Sequence, residues 1–187
     1  MVLLKGGFSF FSFSPALRPL LCYNLNMPNS LETIAGKVHR GLREKGLTVS
    51  VAESCTGGLL SHYLTLLPGS SDCFKAGIVA YAISAKENIL HISRRACGRF
   101  GVVSPEIAEA MAGKVRAIAR TDYSIATTGN LGPDVLENKD HGLVYIAVNS
   151  ADGSTILELR LSGSRQENKE MTVRKALETL LDIIDEK

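Results

Sequence analysis

Apolar positions along the chain keep two rhythms that alternate. Leu31, Ile34, Val38 and Leu42 recur at three- and four-residue spacing, which predicts a helix from about Ser30 to about Lys45. Asn29, three residues before Glu32, is its expected cap, and Gly46 its left-handed stop. "LTVSVA", 47 to 52, is a continuous apolar run of strand length. Helical spacing returns with Leu59, Leu60, Tyr63, Leu64 and Leu67 and ends at Pro68-Gly69. "AGIVAYA", 76 to 82, reads as the second strand, followed by a short helical piece holding Lys86, Ile89 and Leu90. Ser104 then caps a helix with Pro105 at its first position, in which Ile107, Ala108, Met111, Val115 and Ile118 share a face. "YSIATT", 123 to 128, is the third strand and "LVYIAVN" the fourth. Asp152-Gly153 is the expected two-residue turn into a fifth strand, "STILELRL", and a helix from about Gln166 to Ile184 closes the chain.

Strands and helices that alternate and then finish in a hairpin predict an α/β fold: a three-layer α/β/α sandwich on a mostly parallel, mixed sheet. At 187 residues, one domain is the economical solution. The apolar opening, "MVLLKGGFSFFSFSPALRPLLCYNLN", is broken by Gly6, Gly7, serines and Pro15. It is too interrupted to span a bilayer and has no clear cleavage site, so residues 1–27 read as a disordered or mis-started leader. The folded domain is expected over 28–187, with Met27 an alternative start.

Charge narrows the function classes. Twenty-one Lys+Arg stand against 19 Asp+Glu without blocks, which argues against a polynucleotide or an anionic membrane as partner. Cysteines at 22, 55, 73 and 97 form no C-x-x-C pair, and the four histidines show no ligand spacing with them, so no metal or other cofactor is expected. The same cysteine usage fits a reducing, cytoplasmic setting.

Ligands of open α/β sheets settle beyond the carboxyl ends of the strands. Three polar clusters fall there: Glu53–Thr56, Tyr81–Lys86 and Thr127–Gly132. Gly57 and Gly58 let a ligand approach the backbone, and the first amides of the next helix point toward anything negative. Ser54 beside them is either a nucleophile or a plain helix cap. A serine needs a base, and Lys86 can serve if burial leaves its amine neutral, with Ile83, Ile89 and Leu90 as apolar surroundings; otherwise it is a solvated surface charge. Cys55 is the rival nucleophile, without a histidine in these clusters to activate it. Tyr81 offers a phenolic proton, Thr128-Gly129 a hydroxyl and an approachable backbone, and Arg165 a guanidinium suited to phosphate.

Taken in order, "AESCTGG", "PGSSDCFKAGIVAYAISAK", "GVVSPEIAEAMA", "TTGNLGP", "GLVYIAV" and "SGSRQENKEMTVRKAL" resemble the CinA C-terminal domain family, the nicotinamide mononucleotide amidohydrolases. The resemblance implies the three-layer fold and deamidation of nicotinamide mononucleotide to nicotinate mononucleotide and ammonia, without metal. It implies a Ser54–Lys86 dyad assisted by Tyr81, with Thr128 and Arg165 as substrate contacts, and a possible homodimer; Thr56, Gly57, Gly58 and Gly129, in the same two turns, complete the expected substrate-binding set. Two stretches depart from the family pattern. "YAISAK" replaces a Tyr-Ser-Asn-Glu-Ala-Lys run, and "NLGPDVLENKDHG" replaces an Ile-Ala-Gly-Pro-Gly-Gly loop. Those departures keep two alternatives open: a silent nucleotide-binding module, and hydrolysis of another small amide.

Overall fold

The computed structural model describes residues 30–186. The expected leader, Cys22 and Asn29 lie outside the described residues. Helix α1 spans Leu31–Glu44, and its cap is Ser30, whose hydroxyl accepts from the Thr33 amide at 3.2 Å. Strand β1 is Val49–Glu53 and α2 is Leu59–Leu64. Strand β2 is Phe74–Val79, ending before the predicted Ala82, and α3 is Ile83–Asn88. Helix α4, Arg94–Phe100, is an element the apolar spacing does not announce. Helix α5 runs Pro105–Ala119, capped by Ser104, which accepts from the Ile107 amide at 3.2 Å. Strands β3, Tyr123–Gly129, β4, Leu143–Ser150, and β5, Gly153–Arg160, precede α6, Arg165–Asp185.

The five strands form one sheet in the order β2-β1-β3-β4-β5. β1 pairs parallel with β2 and β3, whereas β3–β4 and β4–β5 are antiparallel. Ser150 pairs with Gly153, so the hairpin turn is Ala151-Asp152, one residue earlier than the Asp-Gly pair predicts. Gly153 takes its φ of 134° as the first residue of the strand instead.

Period-2 alternation sorts the side chains of β1 between two cores. Val49 and Val51 enter the core with α1, α2 and α6, where Leu42, Leu60, Leu177 and Leu180 are fully buried. Each such leucine contributes about 1.5–3 kcal/mol on burial. Ala52 faces the other core, where it lines up across the sheet with Ala126 and Ala147. This row of small residues lets α5 lie close, with Ala108, Met111 and Ala112 against it. Ile118, expected on that face, is 47% exposed near the end of α5. β1, β2 and β3 all run parallel, so their carboxyl ends come to one edge of the sandwich.

Candidate active site

Glu53 and Ser54 stand at the end of β1. The Ser54 amide donates to Thr127 O at 2.9 Å and the Ala80 amide donates to Glu53 O at 2.8 Å, extending the pairing of the three central strands by one residue. The Glu53 side chain is fully buried. Its Oε2 accepts from Thr56 Oγ1 at 2.7 Å, Gly58 N at 2.9 Å and Leu60 N at 3.1 Å. Its Oε1 accepts from Ser61 N at 2.8 Å and Ser61 Oγ at 2.6 Å. The start of α2, expected to face an anion, is therefore closed by a carboxylate of the chain itself. An acidic residue ending a buried strand must find donors, and the start of α2, six residues on, is a nearby supply. That signal is present in the sequence, although no role for Glu53 was expected from it.

Lys86 comes from the opposite face. The short helix α3 turns back under the end of β2, so its Nζ reaches Ser54 Oγ at 2.9 Å, Ala80 O at 2.7 Å and Tyr81 O at 3.4 Å. Lys86 is 1% exposed and forms no ion pair among the described residues. Burial lowers its amine below the usual lysine value, with the thiols of Cys97 and Cys55 opposing that shift. The apolar setting differs from the expected one: Leu90 is buried, but Ile83 and Ile89 are 44% and 47% exposed. Cys55 is buried, and desolvation pushes its thiol up to about 12, so it offers little thiolate.

A cavity of about 420 Å³ opens over Ser54 and is lined also by Tyr81, Gly129, Leu131, Asp134 and Arg165. The Tyr81 hydroxyl accepts from Arg165 Nη2 at 2.9 Å, and Arg165 Nη1 donates to Gly132 O, so the guanidinium bridges two walls. The 130–139 loop, to which Gly132 belongs, is built rather than slack. Asn130 Nδ2 donates to Leu136 O and its Oδ1 accepts from Leu136 N, each at 3.1 Å. Glu137 accepts from Val102 N at 2.6 Å, and Lys139 Nζ donates to Val103 O at 2.7 Å. Asn130, Asp134 and Glu137 were not singled out in the sequence, where the loop shows only Gly, Pro and Asp. A larger groove of about 680 Å³ runs along α1 past Lys37, His39 and Arg40, away from the strand ends and without a nucleophile–base pair.

Not every expected contact reaches this cavity. Thr56 is fully buried and bonds Glu53 and, at 2.8 Å, Thr127 Oγ1. Thr128 donates to Val102 O at 2.6 Å, tying β3 to the neighbouring loop. Gly58 donates its amide to Glu53, while the Thr56 and Gly57 amides bond no partner among the described residues. Gly129 lines the cavity, and a Cβ there would meet Leu143 O at 2.8 Å, which requires glycine where β3 and β4 pack.

The profile of the CinA C-terminal domain matches residues 31–184, nearly the whole described chain. The chain belongs to the CinA C-terminal domain family. CinA-like proteins of Flavobacterium psychrophilum and Geobacter sulfurreducens are each 40% identical, over 152 and 149 residues, or 81% and 79% of this chain. The aligned part is 36% of each of those relatives, so the chain spans little more than a third of their length. Among solved structures, a CinA superfamily protein of Escherichia coli superposes with a TM-score of 0.81 at 28% identity, covering 86% of this chain and 98% of that one. The competence/damage inducible protein of Agrobacterium tumefaciens gives 0.78 at 35% identity, covering 81% and 94%. Both share the α/β architecture described above.

Proposed function

We propose that the chain is a serine–lysine amidohydrolase that deamidates nicotinamide mononucleotide. The observation carrying this reading is the 2.9 Å approach of the buried, ion-pair-free Lys86 amine to the Ser54 hydroxyl at the floor of a cavity. A neutral amine there takes the serine proton as Oγ attacks the carboxamide carbon. The oxygen that gains charge meets the unpartnered amide of Gly57, one of the donors expected from the sequence; of the others, the Gly58 amide is held by Glu53 and the Thr128 hydroxyl by Val102 O. The Lys86 ammonium returns its proton to the departing nitrogen, and ammonia leaves. Water, deprotonated by the same amine, then attacks the acyl ester and restores Ser54 with a carboxylate product. Tyr81, held by Arg165, positions the substrate. The choice of nucleotide rests on the family resemblance and on Arg165, whose guanidinium suits a phosphate. Free thiols at Cys55, Cys73 and Cys97 fit a cytoplasmic site of action, and no helix among the described residues is long and apolar enough to cross a membrane.

Ammonia release from nicotinamide mononucleotide, measured for the wild type and Ser54→Ala beside an active family member, tests this. Wild-type turnover that Ser54→Ala abolishes supports the reading. Nucleotide affinity with no wild-type turnover would leave a binding module in its place.

A further inference from the structure

The cavity over Ser54 carries two opposite charges that leave each other free. Arg165 gives Nη1 to Gly132 O and Nη2 to the Tyr81 hydroxyl, both neutral acceptors, so its positive charge is held in place without being cancelled. Asp134 lines the same cavity two residues after Gly132, and its exposed carboxylate has no hydrogen-bond or ion-pair partner among the described residues. The other acids of this segment are taken: Glu137 accepts from the Val102 amide and pairs with Lys139, and Asp140 pairs with Arg160. Asp134 follows Gly132-Pro133, at the point where "NLGPDVLENKDHG" departs from the glycines of the family loop. It is also absent from the groups that shift the Lys86 amine, so this carboxylate does not hold the base in its protonated form.

A ligand that answers both charges carries an anion and a cation. An amide on a neutral ring leaves Asp134 without a partner, and a purely anionic amide is repelled by it. A carboxamide on an N-substituted pyridinium brings a positive charge, delocalised over a flat ring, within a few bonds of the carbonyl that Ser54 attacks. We propose that Asp134 is a specificity-determining residue of this site: it favours carboxamides borne on a cationic, N-substituted pyridinium over the same carboxamides on a neutral ring. This rests on the amidohydrolase reading and adds to it the ring charge as the property selected. Asp134 meets the substrate away from the reacting bond, so its effect is on binding, and the chemical step stays with Ser54 and Lys86.

The test compares nicotinamide mononucleotide with its dihydropyridine form, which keeps the carboxamide, ribose and phosphate but has a neutral ring. Both are titrated calorimetrically into Ser54→Ala, which binds without turnover, and into Ser54→Ala carrying Asp134→Asn. Asp134→Asn weakens binding of the pyridinium form about fivefold, the scale of one ion pair at an exposed site, and of the dihydropyridine form by less than about twofold. This gap narrows as salt is raised, because exposed charges are screened. Asp134→Glu, which keeps the charge, retains most of the pyridinium affinity. An equal loss on both forms would make Asp134 a contact to ribose or a prop of the loop and overturn the proposal, and so would no loss on either. If neither form binds, the proposal falls as well. Ammonia release by the wild type, measured separately, decides the amidohydrolase reading: charge-selective binding without turnover keeps the role of Asp134 and loses the hydrolase.

Discussion

Replacing Glu53 by glutamine probes what holds the Ser54 turn in place. The amide is nearly the same shape, but it has one oxygen for five donors. If that oxygen stays where Oε2 was, it keeps Thr56 Oγ1, Gly58 N and Leu60 N, and the new NH2 faces Ser61. The Ser61 hydroxyl can rotate to accept, whereas its amide, now 2.8 Å from another donor, cannot. One buried N–H left without a partner costs about 1–3 kcal/mol, and three hydrogen bonds that lose their charge weaken by about 1 kcal/mol each. Relief from burying a charge offsets several kcal/mol of this. The net expectation is a loss of about 3 kcal/mol, the balance of these opposing contributions. For a domain of this size that lowers the unfolding midpoint by about 6–12 °C. Thermal melts followed by circular dichroism measure it. A midpoint within about 2 °C of wild type would show that the carboxylate does not organise α2, and the explanation of the turn would fail with it.

Lys86→Met removes the base while leaving an apolar side chain of similar length. Turnover falls by about 10²–10⁴, the range for losing a general base, and stability at neutral pH rises. The sign follows from the lowered folded value: between it and 10.5 the unfolded chain binds more protons than the folded one. Wild-type stability therefore climbs across that window relative to the variant, and urea denaturation near pH 7 and pH 10 should show the gap closing. A gap independent of pH refutes this. The Cys55 thiol, pushed up to about 12 by burial, should resist iodoacetamide in the native protein near pH 8 and label only on unfolding. Rapid native labelling at Cys55 would contradict the burial argument.

The fold class was legible because each strand and long helix has its own period. Where the period is short or the ends are set by tertiary contacts, legibility stopped. Helix α4 has seven residues, "RRACGRF", with Cys97 as its buried residue, so no apolar stripe announces it. Asp-Gly is a strong turn signal that points one residue too late, because Gly153, with its positive φ, is the first residue of β5 instead. At the site, Ser54, Lys86, Tyr81 and Arg165 could be named from motif order, while the partners of Thr56 and Thr128 could not. A threonine at a strand end can face a ligand or a neighbouring carbonyl, and which one it faces depends on the 100–103 loop and on Glu53. The 130–139 loop was legible only as a loop, since its order comes from Asn130, Glu137 and Lys139 reaching residues distant in sequence.

The adjacency of Glu53 and Ser54 raises a problem that strand geometry solves. A carboxylate next to Lys86 would keep its amine protonated and useless as a base. Successive residues of a strand point to opposite faces, so Glu53 follows Val49 and Val51 toward α2, while Lys86 approaches Ser54 from the side of α3. Five donors then hold the carboxylate on its own side of the sheet. The acceptors left for Lys86 are two carbonyl oxygens and the serine hydroxyl, none of which stabilises an ammonium as a carboxylate would. The one-residue offset thus allows an acid that builds the turn and a base that works above it to occupy the same strand end without neutralising each other.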